Sequence, residues 1–436
     1  MNKKLLLAGL AGILSLATAC KKDDPSPKPT PTPQPGFTIE AKTTDLLQFD
    51  TVRLSAQGAK ADAKLSWVIN GKEVAEGKDY AFTQARVGRY QVSLVDKTSG
   101  EKVSKDFSVT GRFTSGAFLL NEGNFGNETG TLTYIDASKQ FVLDSAYIRV
   151  NGTKLGNVCQ DMTFANGKVY IISQNGPKNG GEGLLTIADA KTLEKHKVIN
   201  DDNLAKDWPT HIAVVHSRIY LRGNKGIYRG TEEGSFKLIP GTEKTNKLRM
   251  VTIGELVIAT TSTNKLLVIQ DEEVKQTFTL PEGSPSGLAL APDGQLWLSY
   301  SKPNTLAKVS VSASGVKILD KHTTTQSLDK KYTATSAIFA RANQIFFTEQ
   351  SSVIYRHDFS TGETKEIVDV QKVDKQAKMY YNSLGIDPKT GHIYYASFDD
   401  YSTYKKNVTL VLDHDGKVLL RREHVNAFPA GFYFIP

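Results

Sequence analysis

The sequence predicts an all-β protein, a seven-bladed β-propeller preceded by a small immunoglobulin-like sandwich, and three observations carry that reading. First, an apolar run, a Gly or Asn turn and an aliphatic-aromatic pair recur in Met162 to Ile172, His211 to Leu221, Leu288 to Leu298, Ala337 to Phe347 and Leu384 to Ala396. A weaker copy runs from Leu248 to Ala259. Each copy reads as a buried strand, a tight turn and the start of the returning strand, and a period of roughly 40 to 50 residues is that of propeller blades. Second, two orphan pieces stand at opposite ends of this region. Pro429 to Pro436 reads as an innermost strand with no partners after it, and Gly116 to Asp136 as outer strands with no innermost strand before them. Joined, they make a seventh blade and leave no open end to the array; eight blades is the alternative count. Third, Phe37 to Thr110 holds six short alternating segments separated by Gly, Asp and Asn turns, the pattern of a small β-sandwich.

In chain order, Asn2-Lys3-Lys4 is a basic start, Leu5 to Ala17 an apolar stretch, and Leu16-Ala17-Thr18-Ala19 places small residues before Cys20. This predicts a signal peptide over residues 1–19, since the apolar run is too short for a stable membrane-spanning helix. The small residues before Cys20 resemble the lipobox of bacterial lipoproteins, which implies lipidation of Cys20 as the mature N-terminus; a plain cleaved signal is the alternative. Several acyl chains on one residue anchor a protein stably. Lys21-Lys22-Asp23-Asp24 resembles the export signal of Bacteroidetes surface lipoproteins, which implies the outer face of the outer membrane, with contact to the bilayer through the anchor only. Residues 20–36 complete a linker in which Pro25 to Gly36 alternates Pro with polar residues, a composition that favours extended polyproline II.

Residues 37–111 form the predicted sandwich. Trp67 followed by Asn70-Gly71, and Gly88-Arg89-Tyr90 before an alternating strand, resemble the PKD-type immunoglobulin-like module, with Trp67 and Tyr90 as core residues and a spacer role as the expected function. Residues 112–436 are the predicted propeller.

With 54 Lys and Arg against 46 Asp and Glu, the chain is mildly basic, and less so once Lys3 and Lys4 are removed. The basic residues are scattered, with no run resembling a nucleic-acid-binding arm, so no nucleic-acid partner is expected. Lipidation of Cys20 leaves Cys159 alone, and its place beside an expected inner strand predicts a buried small apolar residue.

In a propeller the loops leading into each innermost strand share one face with the loops joining the second and third strands. Here that face collects Phe125, Trp208, Tyr332, Tyr380 and Tyr381, with Tyr401, Tyr404 and Phe428, beside the amides of Asn121, Asn124, Gln174, Asn175 and Asn382. Flat rings interleaved with amides suit a large, polar, uncharged ligand. Trp208, Tyr380 and Tyr381 are the expected apolar platforms, Asn121, Asn124, Gln174, Asn175 and Asn382 the polar contacts, and His211 a further contact; about half of the aromatics are expected to cap blade cores instead.

Catalytic signals are poor. No HExxH or GxSxG pattern occurs, and Asp413-His414-Asp415-Gly416 reads as a hairpin turn rather than a cation loop. Glu122 and Glu349 are lone candidate acids. The expectation is a binding protein with no catalytic residues, metal or cofactor.

Phe118 to Asp136, reading FLLNEGNFGNETGTLTYID, together with DWPTHIAVV from Asp207 to Val215, resembles the YncE-like (DUF5074) propeller lipoproteins of Bacteroidetes and, within them, the BtuG type. The resemblance covers residues 116–436, and this chain departs from it by carrying a PKD-like module in front. It implies capture of cobalamin (vitamin B12) on the loop face and handover to a TonB-dependent outer-membrane transporter. The alternatives are a propeller lactonase or hydrolase, or a surface scaffold that binds haem, a glycan or a protein.

Overall fold

The computed structural model describes residues 36–329, 336–349, 351–425 and 428–436. The predicted signal peptide, Cys20, the predicted linker up to residue 35 and Tyr332 lie outside the described residues. Among those described, no helix is long and apolar enough to cross a membrane.

The first folded unit packs two sheets face to face. Thr38–Ala41, Thr51–Gln57 and Asp79–Thr83 form one; Asp45–Leu47, Lys102–Thr110, Gly88–Asp96, Leu65–Ile69 and Lys72–Glu76 form the other. Alternation turns every second side chain inward, and Trp67, Phe82, Leu94 and Phe107 close the core with no more than 1% of their surface exposed. Trp67 Nε1 donates to the Gly77 carbonyl at 3.0 Å, so the large ring is buried without an orphaned donor. Tyr90 is half-buried against the same core. The unit abuts the rest of the chain through Gln48, whose Nε2 donates to Thr192 O at 3.0 Å.

Seven four-stranded antiparallel sheets follow among the described residues, each open at both edges. Six are runs of four consecutive strands beginning with Cys159–Ala165, His211–Val215, Val251–Ile253, Ser284–Leu290, Ile338–Arg341 and Leu384–Ile386. The remaining sheet draws on both ends of the region: Pro429–Phe434 pairs with Ala117–Asn121, followed by Thr131–Ile135 and Val142–Leu143. Each first strand lies beside the next in order, and Pro429–Phe434 touches both Leu384–Ile386 and Cys159–Ala165. The arrangement is propeller-like, and its cores sit between neighbouring sheets, as where Ala213 and Tyr220 of one meet Val257 and Leu267 of the next.

The repeat forms hairpins for the reason its residues suggest. Asn166 and Gly167 both take positive φ (53° and 71°), the geometry of a tight two-residue turn whose twist matches the strands. His216 sits in the turn after His211–Val215, with φ 52°, and pairs with Glu255. A short helix, Ala146–Asn151, leads from the first sheet towards the second and buries Tyr147 and Val150; six residues were too few to show a helical period.

Candidate functional site

Among the described residues, two of the loops on this face are tied to each other by one amide side chain. Asn157 is fully buried, and its Nδ2 donates to the carbonyls of Asn124 (2.9 Å) and Glu128 while its Oδ1 accepts from Asn175 Nδ2 at 2.7 Å. One side chain thus ties residues 121–130 to residues 173–183. Gly123 makes the first loop possible: its φ is 81°, and a Cβ there would stand 2.4 Å from Thr129 O. Asn157→Ala is expected to cost about 2 kcal/mol, two or three buried hydrogen bonds being lost. Amide exchange should accelerate in both loops and leave the sandwich unchanged.

Of the predicted contacts, Asn124, Phe125 and Asn175 are brought together by that clamp. Phe125 is 52% exposed, and Lys178 Nζ lies 3.5 Å from its ring centroid, a cation-π contact. Gln174 is buried, its backbone N–H bonded to Val158 O. Asn121 and Asn382 meet the same neighbour from two sides: Asn121 pairs with Pro429 across the strands, and Asn382 Nδ2 donates to Pro429 O at 3.3 Å. Tyr381 reaches across 259 positions to donate its hydroxyl to Glu122 Oε1 at 2.8 Å. Its ring belongs to a run of aromatics in which Phe428 contacts Phe398, Tyr401 and Tyr404 at centroid distances of 5.4, 5.9 and 4.9 Å. Tyr401 is 53% exposed at the edge of that run.

The others are placed differently. Tyr380 packs against the core of the sheet that begins with Leu384–Ile386, so its ring caps a core instead of presenting a platform. Trp208 is 49% exposed just after the helix Asp202–Lys206. His211 is fully buried in its strand, with Nδ1 2.9 Å from Thr210 Oγ1.

Beneath the loops lies a polar centre that sequence reasoning missed. Asp161 Oδ1 accepts from the Tyr433 hydroxyl at 2.7 Å and from Arg249 Nε at 3.3 Å, and its Oδ2 accepts from Ile212 N at 3.1 Å. One buried carboxylate therefore joins its own innermost strand to the next one, to the last one and to the segment leading into Val251–Ile253. Arg249 also stacks on Tyr433, 4.4 Å from the ring centroid. Burial pushes the Asp161 carboxyl up, opposed by Arg249 and Tyr433. Burial likewise raises Glu122 to about 7, opposed by the Tyr381 hydroxyl and Lys247, and lowers Lys247. Cys159, fully buried, has its thiol pushed up by the same loss of hydration, which suits a packed side chain and not a nucleophile. The one signal for this centre was a charge inside an otherwise apolar strand pattern, Asp161 before Met162 and Arg249 before Met250.

Among the described residues no group of three or more His, Cys, Asp or Glu is placed to hold a metal ion. Asp161 and Glu122 are each engaged by a tyrosine hydroxyl. The assembled surface can stack rings and exchange hydrogen bonds with amides.

No curated protein matches this chain. Among solved structures, a Bacteroides thetaiotaomicron protein described as quinonprotein alcohol dehydrogenase-like superposes with a TM-score of 0.59 at 16% identity, covering 92% of this chain and 99% of that one. A Lactobacillus plantarum protein is 11% identical over 74% of this chain and 100% of that one, with a TM-score of 0.48. Virginiamycin B lyase from Staphylococcus aureus is 13% identical over 63% of this chain and 90% of that one, with a TM-score of 0.42. At such identities only the Bacteroides likeness is close enough to speak, and it speaks for the fold alone. A family match covers residues 115–435, from just before the first strand of the seven-sheet region to its last, and on that extent the chain belongs to DUF5074, a domain family of unknown function.

Proposed function

We propose that the protein is a non-enzymatic surface lipoprotein, lipidated at Cys20 and held off the outer membrane by its Pro-rich linker and PKD-like module. Its seven sheets form one closed seven-bladed propeller. The loop face captures a large polar ligand, with cobalamin as the first candidate, for delivery to a TonB-dependent transporter.

The observation that carries this reading is the row of Tyr381, Phe428, Tyr401 and Tyr404, flanked by loops that Asn157 holds in place. Cobalamin has a flat corrin ring fringed by amides, and stacking on tyrosine with amide hydrogen bonds matches both surfaces. Fixed loops reduce the ordering entropy that opposes binding.

The test is calorimetric titration of the soluble form beginning at Pro25 with cyanocobalamin, beside haem and a panel of oligosaccharides. One-to-one cobalamin binding is expected, weakened roughly tenfold by Tyr401→Ala and by Phe125→Ala, since both rings are exposed and their loss spares the core. Absence of heat with cobalamin would remove that ligand, and full affinity in both variants would remove the site.

A further inference from the structure

We propose that the loop face holds an oxyanion subsite at Lys247, so that the ligand captured there carries a phosphate or carboxylate group besides its stacking surface. The inference rests on the reading of that face as a ligand site, and it adds one charge to the uncharged body that the sequence suggests. Lys247 lies in the segment leading into Val251–Ile253. Asn246 beside it is tied to the loop-face end of the strand Leu256–Thr260, with its N–H bonded to Thr260 O at 2.8 Å and its Nδ2 to Thr260 Oγ1 at 3.0 Å. Among the described residues the Lys247 ammonium makes no hydrogen bond and no ion pair, yet the residue is only half-buried and its Nζ is not sealed from solvent.

The charges around it leave that ammonium unmatched. Burial lowers the Lys247 pKa, and repulsion from Arg222 acts the same way, with Glu122 opposing both. Arg222 ends the strand Arg218–Arg222, and its buried guanidinium meets only neutral oxygens. Nε and Nη2 donate to Thr245 O at 3.3 and 2.9 Å, and Nη1 to Thr210 Oγ1 at 3.4 Å and Asn224 Oδ1 at 3.3 Å. Asp207 attracts Arg222 from beyond ion-pair distance, while its carboxylate accepts the Lys225 N–H at 3.1 and 3.0 Å. Glu122 is engaged by the Tyr381 hydroxyl, and no ion pair joins it to Lys247. A cation held part-way out of water without a counter-charge in contact is unfavourable, and a charge-assisted hydrogen bond from a ligand oxyanion offsets that cost. Lysine presents three donors as a point charge, which suits phosphate and carboxylate alike. The aromatic row leads to this point, because Tyr381 belongs to the row and holds the carboxylate that acts on Lys247.

Phenyl phosphate and benzoate, with benzamide as the neutral match, test this in ¹H–¹⁵N spectra of the deuterated soluble form beginning at Pro25. Both anions are expected to move the Asn246 and Lys247 amide signals saturably. Benzamide should bind roughly tenfold more weakly, the fold-change of one hydrogen bond to a charged group. The tighter of the two anions names the group that the ligand carries. Lys247→Met should bring both anions down to the benzamide level. That variant removes a partly desolvated charge and keeps the length of the side chain, so its denaturant midpoint should be no lower than that of the wild type, which separates loss of the subsite from loss of the fold. Lys225→Met, which removes an exposed lysine from the neighbouring loop, should leave the preference for anions intact. No saturable movement with either anion, benzamide binding as tightly as both, an undiminished preference in Lys247→Met, or an equal loss in Lys225→Met would overturn the proposal. Cyanocobalamin titrated into the same samples keeps the two readings apart. Anion binding at Lys247 without cobalamin binding removes that ligand and supports the subsite, whereas cobalamin binding with no anion response removes the subsite and leaves the ligand.

Discussion

Replacing Asp161 by alanine is expected to destabilise the seven-sheet region by about 3–5 kcal/mol, the usual consequence of removing one partner of a buried ion pair. Three groups lose their acceptor together: the Tyr433 hydroxyl, the Ile212 N–H and Arg249 Nε. Arg249 then keeps its charge with no anion beside it. Because the contacts run to the second strand in the series, to the last and to the segment before the third, the damage should spread beyond one sheet. Urea unfolding followed by tryptophan fluorescence measures it. Trp297 sits in the affected region and Trp67 in the sandwich, so single-tryptophan variants separate the two units. The double variant Asp161→Leu with Arg249→Met should recover most of the loss, since an apolar pair of similar volume often replaces a buried ion pair at little cost. A loss below about 1 kcal/mol in Asp161→Ala would mean that the hub is relaxed by water and does not hold the strands together.

Glu122→Gln is expected to act in the opposite direction, and only at neutral to alkaline pH. Burial raises the Glu122 carboxyl to about 7 in the folded protein, against 4.5 for an ordinary glutamate. The folded state therefore binds the proton more tightly than the unfolded chain does. The stability this contributes is complete below the ordinary carboxylate range, declines as pH rises from about 4.5 towards 7, and is gone above that. At pH 8 the wild-type protein holds a buried carboxylate, whereas glutamine is neutral and still offers Oε1 to the Tyr381 hydroxyl. A gain of about 1–3 kcal/mol is expected at pH 8, the upper end being the full value of the shift and the lower allowing for lost attraction to Lys247. No gain should appear at pH 4. Denaturant midpoints of both proteins at the two pH values test this, and an equal difference at both would show that Glu122 titrates as if exposed.

The hairpin repeat was legible because period-two alternation and a Gly or Asn turn are local properties, written wherever one face of a strand is buried. Asn166-Gly167 needs only its own φ values to turn the chain. The pairing of Pro429–Phe434 with Ala117–Asn121, more than 300 positions away, was legible for another reason: each piece lacked partners, and exposed strand edges are unfavourable enough to demand them. Parts of the loop face could be read the same way, from Phe125, Tyr401 and Phe428 as aromatics in turns.

Other features were decided only by the fold. Asn157 looks like any loop amide until the chain brings Asn124, Glu128 and Asn175 around it. Tyr380 and Tyr381 are neighbours in sequence, yet one caps a core and the other crosses to Glu122, because backbone direction at the lead-in to Leu384–Ile386 sends them to different sides. Sequence alone determined that this chain would build repeated antiparallel sheets and where each would turn. Tertiary structure decided which charges lose their water: Asp161, Arg249, Glu122 and Lys247 are ordinary in the sequence, and their coupling exists only where strands far apart in the chain converge and solvent is excluded.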